Sequence, residues 1–175
     1  MSKKSEVQVG SFEATFRDLL LPFGLRVDAV KLAAQDVKVG QHPFKLNLAK
    51  SANVLATVSQ GNLSEFLNKE KPGGLNDFEV KLEAGKLYVS ATAKVVFDIR
   101  ANAICSLDIR DGKEVWIVLE TVDMLGVGAK GLVEKQLEKI NPILDTEDFP
   151  FEMMIEKITI SEGELILIGT ANLSE

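Results

Sequence analysis

At 175 residues, with 46% apolar and 26% charged content, the chain has the size and balance of one soluble globular domain with a core of its own. Twenty-six acidic against twenty basic residues leave a net charge of −6, which argues against a nucleic-acid backbone as main partner because phosphate neutralisation needs a basic field. Cys105 is the single cysteine, so an intrachain disulfide is excluded.

Met1 to Ser5 is short and polar, and no apolar run follows it. No signal peptide or membrane span is therefore expected. The cytoplasm is the direct expectation, or the cell envelope if a leader precedes this sequence. Glu6 to Val39 reads as two long strands that change phase. Val7 and Val9 alternate, then Phe12, Ala14 and Phe16 continue on the other parity, which predicts a bulge near Gly10. Pro22-Phe23-Gly24 is the turn between the strands, and Phe44–Leu48 and Asn53–Val58 are shorter strands. "NLSEFLNKEK" predicts a short helix capped by Asn62 with Glu65, burying Leu63, Phe66 and Leu67; "KPGG" ends it.

Three hairpins follow, at "EAGK", "RDGK" and "SEGE". Parity predicts a two-residue Ala84-Gly85 loop and a three-residue Arg110–Gly112 loop that sets Leu107 against Val115 and Cys105 against Ile117. It also predicts an Ile160–Leu165 pair beside Glu162-Gly163. Between the first two hairpins, Leu87 to Arg100 alternates without interruption, and fourteen extended residues span roughly 45 Å. One helix of a dozen residues, ~18 Å long, covers less than half of that. The helix is predicted after "GVGAKG", with Leu132, Val133, Leu137 and Ile140 on its apolar side and Asn141-Pro142 as its stop. Ala91, Ala93 and Ala103 on the long apolar face then have two readings: they let this helix pack closely, or they leave a trough for an apolar ligand.

Catalytic signals are weak. His42 is the only histidine and lies in the turn "GQHPF"; no metal-ligand spacing or phosphate-cradling loop is present, so neither enzyme activity nor a cofactor is expected. Cys105 falls on the inward parity as a small buried hydrophobe. Trp116, Val118 and Val122 project outward, which leaves an alternative open: an interaction or scaffold domain with a self-filled core.

From about Val7 to Ala171 the chain resembles the LmeA-like phospholipid-binding family. The matching stretches are "GLRVDAVKLAAQDVKVG", "ATVSQGNLSEFLN", "DFEVKLEAGKLYVSATAKV", "MLGVGAKGLVEKQLEKINPILD" and "ITISEGELILIGTA". The resemblance implies an α+β fold: a long curled antiparallel sheet of hairpins wrapped around one main amphipathic helix, with a second short helix, similar to the tubular lipid-binding (TULIP) superfamily. It implies a single domain over residues 1–175 and non-enzymatic binding or carriage of phospholipid or another long apolar ligand, with transient contact at a membrane surface. By position, the lipid-facing residues would be Val89, Ala91, Ala93, Val95 and Phe97, then Ala103, Cys105, Leu107, Val115, Ile117 and Leu119, with Leu132, Val133, Leu137 and Ile140 on the helix. Lys69 and Lys71 are the head-group candidates, or plain solubilising charges.

Overall fold

The computed structural model describes residues 6–41, 44–94, 98–123 and 129–173. In chain order these form β1 (Glu6–Leu20), β2 (Arg26–Gln41), β3 (Phe44–Leu48), β4 (Ala52–Ser59), α1 (Gln60–Glu70), β5 (Asn76–Glu83), β6 (Lys86–Lys94), β7 (Asp98–Arg110), β8 (Glu114–Asp123), α2 (Ala129–Ile140), β9 (Leu144–Asp145), β10 (Glu152–Ser161) and β11 (Glu164–Asn172). The fold is of the α+β class, mostly strand, with antiparallel sheets of which one is curled into a half-barrel.

The expectation of one sheet is corrected to two. A six-stranded sheet runs β1-β2-β4-β11-β10 with β3 paired to β2, and a five-stranded sheet runs β5-β6-β7-β8-β9. The division falls at α1. Strand β4 takes β11 as its neighbour, and α1 then packs on β5 and leads the chain into the second layer. Backbone bonds tie the layers together: Gly163 N donates to Leu82 O at 2.9 Å, and Ile155 N donates to Gly112 O at 2.7 Å. One core runs through both, with Val30, Val54 and Leu167 from the first sheet and Leu82, Leu87 and Val115 from the second.

The run from Leu87 to Arg100 is a hairpin, not one strand. Strands β6 and β7 pair from Leu87↔Cys105 through Lys94↔Asp98. An odd-numbered connection explains why alternation missed it. With three residues between the paired ends, odd positions stay on one face before and after the reversal, and no glycine or proline marks the turn. Strand β6 has nine residues, so it spans about 30 Å, not 45 Å. Val95 and Phe97 lie outside the described residues, as does His42.

Other local expectations hold or shift by a residue or two. The Ala84-Gly85 loop and the Ile160–Leu165 pair form as expected. The β7–β8 loop is again three residues long, but it closes on Arg110↔Glu114, so Leu107 faces Ile117 and Cys105 faces Leu119. Asp111 and Gly112 both take positive φ there (53° and 67°), which moves the turn one residue along. The β1–β2 register passes Gly10 without a slip, Val9↔Val37 leading on to Ser11↔Gln35. The phase change lies in both strands at once, with Asp36 at φ 54° opposite Gly10. Helix α1 is capped three residues earlier than expected, by Ser59 and not Asn62, with the Ser59 hydroxyl accepting from Asn62 N at 3.3 Å. Its expected buried face of Leu63, Phe66 and Leu67 is buried.

Candidate functional site

The β6–β7 register sets Ala91 against Ala101 and Val89 against Ala103. Four small or short side chains thus make a shallow floor across two strands. Strand β8 completes it with Ile117 and Val122. Val122 reaches this face because of a bulge: Ile104 pairs with Thr121, but Cys105 pairs with Leu119, so Glu120 is the extra residue. The Glu120 carboxylate accepts from Lys86 Nζ on the outer side, which fixes the bulged residue away from the floor.

A helix and a turn make the roof. Val133, Gln136 and Leu137 share one side of α2, and Pro72 and Gly73 close the gap from the other direction. The turn can press on α2 only because residue 73 is glycine. A Cβ there would sit 2.8 Å from Gln136 Cγ, and Gly73 already takes φ +70°. Two asparagines dock the helices. Asn68 of α1 donates to Phe78 O at 2.8 Å and accepts from Phe78 N at 2.9 Å. Asn141, just past α2, donates to Ile117 O and accepts from Ile117 N, both at 2.9 Å. Each amide mimics a neighbouring strand by satisfying an N–H and a C=O of the same residue.

The result is a partly open apolar cavity of about 110 Å³ between β6–β8 and α2. Gln136 is the one side chain with an amide among its lining residues, and no carboxylate or amine faces it. Cys105 lines it, 2% exposed. Burial, with a smaller push from Glu120, drives its thiol up to about 12. Among the described residues no group of histidine, cysteine or carboxylate side chains is placed to hold a metal ion. A second cleft of about 770 Å³, by Phe149, Phe151 and Met153, is larger and more open, and its charged residues are Lys113, Glu147 and Glu152, the first two paired at 3.6 Å.

The structure gathers seven of the lipid-facing candidates at the cavity: Val89, Ala91, Ala103, Cys105, Ile117, Val133 and Leu137. Ala93, Val115 and Leu119 are buried, and Leu107 and Ile140 half-buried, without lining it. Leu132 is on α2, with its side chain outside the described residues. Lys71 lines a shallow cleft with Glu70, Gly74, Gln136 and Lys139, and this cleft shares Pro72, Gly73 and Gln136 with the cavity. Lys69 points elsewhere, its Nζ 3.1 Å from where a Cβ of Gly24 would lie. Sequence reading missed Ala101, Val122, Gln136 and Phe78. Ala101 was findable from its phase with Ala103; Val122 was hidden by the bulge. Of the three side chains read as outward, Val118 is exposed as expected and Val122 is corrected. Val122 faces the cavity, and the Trp116 ring is covered by the Arg110 guanidinium at 3.6 Å while its Nε1 donates to Glu114 at 2.7 Å.

A model of the LmeA-like phospholipid-binding family matches residues 5–170. The chain belongs to the LmeA-like phospholipid-binding family. No curated protein and no solved structure matches it. Among the described residues of this LmeA-like chain, no helix is long and apolar enough to cross a membrane.

Cys105 gives the LmeA-like chain a pH signature. The thiol's ordinary value is 9.0 and the folded value about 12. Above pH 9 the unfolded chain loses this proton while the folded chain keeps it, so stability falls between about pH 9 and 12 and is untouched below. Urea melts across that window should show the wild type losing stability relative to Cys105→Ala; parallel curves would mean the thiol is not shielded.

Proposed function

We propose that the chain binds and carries a phospholipid, with an acyl chain between the alanine floor of β6–β7 and the underside of α2. The observation that carries this reading is the partly open apolar cavity, whose floor is built from residues too small to fill it. The family membership supplies the ligand class. Each acyl CH₂ withdrawn from water contributes about 0.8 kcal/mol, and no polar group in the cavity except Gln136 opposes it. The head group stays outside, in the cleft of Glu70, Lys71 and Lys139, where a phosphate meets the two ammonium groups as charge-assisted donors.

At about 110 Å³ the cavity is smaller than the ~300–1,000 Å³ of sites for drug-sized ligands. A whole acyl chain therefore requires the roof to lift. The roof is suited to that: Val133, Leu137 and Ile140 of α2 are only half-buried, whereas Leu63, Phe66 and Leu67 of α1 are fully buried. Helix α2 is the less firmly held of the two, and low local burial marks segments that open first.

Organic extraction of natively purified protein should yield phospholipid at about one molecule per chain. An extract with less than about a tenth of that amount, from protein that also fails to take up added phospholipid, would refute the reading.

A further inference from the structure

Pairing of Glu6 with Gly40 and of Gln41 with Phe44 gathers the start of β1, the end of β2 and all of β3 at one end of the six-stranded sheet. This end is poorly covered. Val7↔Val39↔Leu46 forms an apolar row across three strands, and the core covers Val39 and Leu46 only in part. Val7 is 46% exposed, and Phe44, in the pair that closes the β2–β3 connection, is 74% exposed, the highest value for a large apolar residue among the described residues. Lys38 and Lys45 alternate with this row on the other face of the same strands, and Lys50 follows the far end of β3; all three are exposed. Residues 6–11 and 36–50 hold these three against Glu6 and Asp36, a net charge of +1, although the whole chain carries −6. The acidic excess therefore lies elsewhere on the molecule.

We infer that this end of the sheet docks on an anionic bilayer surface. Docked end-on, Phe44 and Val7 enter the headgroup region from one face of the sheet, and Lys38 and Lys45 meet the lipid phosphates from the other. An aromatic ring is at home at that depth, and lysines near an anionic surface each add attraction that falls off within a Debye length. The acidic remainder is repelled by the same surface, so the charge distribution orients the molecule with this end down. A second copy of the chain is a poorer occupant, because a symmetric contact would bring two sets of these lysines face to face. The purpose of docking, exchange of lipid with a membrane, rests on the carriage reading; docking itself does not.

Vesicle flotation tests it, with phosphatidylcholine alone and with phosphatidylcholine plus phosphatidylglycerol. Wild-type protein should float with the mixed vesicles at low salt and be released by high salt. Phe44→Ser and the Lys38→Glu/Lys45→Glu pair should each weaken flotation by at least about tenfold. All three positions are exposed, and unchanged circular dichroism would show that the variants fold. Phe44→Ser should still co-purify with as much lipid as wild type. Failure of wild type to float, or variants floating as wild type does, would overturn the assignment, as would light scattering that shows a dimer dissolved by Phe44→Ser with no vesicle binding. Absence of co-purified lipid from every variant would defeat the cavity reading and leave the flotation result standing.

Discussion

Replacing Ala101 with phenylalanine should stop lipid uptake and leave the protein folded. Ala101 lies on the cavity floor opposite Ala91 and is 7% exposed. A ring at this position points into space that is already empty, so it displaces ligand rather than protein. Overfilling a well-packed core costs about 1–3 kcal/mol; here part of that is offset by apolar contacts the ring gains with Val133 and Leu137 across the cavity. The ring removes room for on the order of three or four methylenes. At about 0.8 kcal/mol each that is ~3 kcal/mol, or roughly a hundredfold in affinity. Uptake of a fluorescent phospholipid, measured beside thermal unfolding, separates the two effects. Undiminished uptake with a normal melt would remove the floor from the account.

Gly169→Ala should be the most destabilising of the small substitutions, although it adds one carbon and Gly169 carries no positive φ. Gly169 pairs with Ile155 where the β10–β11 register shifts. A Cβ there would lie 2.1 Å from Met154 O and 3.2 Å from Ile155 Cα. Those are backbone atoms, so relief requires strand β10 to move. Its movement would strain the Ile155 N to Gly112 O bond that joins the two sheets. We expect a loss of about 3 kcal/mol or more and a fall of roughly 10 °C in Tm. Gly10→Ala is the control, since nothing lies within 4 Å of its Cβ position. Equal melts for the two variants would show that β10 yields without cost.

Much of the fold was legible because alternation reports which face a residue takes. It placed the hairpin at Ala84-Gly85, the inward parity of Cys105 and the apolar side of α2. It failed where parity is preserved through a change of direction: the β6–β7 reversal keeps odd residues on one face, so two strands read as one. It failed again where parity changes without a sequence mark, as at Glu120, which turns Val122 inward. Division into two sheets was not legible, because strand patterns do not say which strand is the neighbour. The candidate site was half legible. Three of the small residues at its floor and wall, Ala91, Ala103 and Cys105, stood out as small positions on an apolar face. The roof contacts did not: the fit of Gly73 on Gln136 and the Asn141 clamp on Ile117 join residues far apart in sequence.

The central claim is that an acyl chain lies between β6–β8 and α2. A phospholipid with a photoactivatable group at the end of one acyl chain, cross-linked in place and mapped by mass spectrometry, tests it most directly. Labels should fall on Ala91, Ala101, Ala103, Val133 or Leu137. Labels confined to the open cleft of Phe149, Phe151 and Met153 would contradict it.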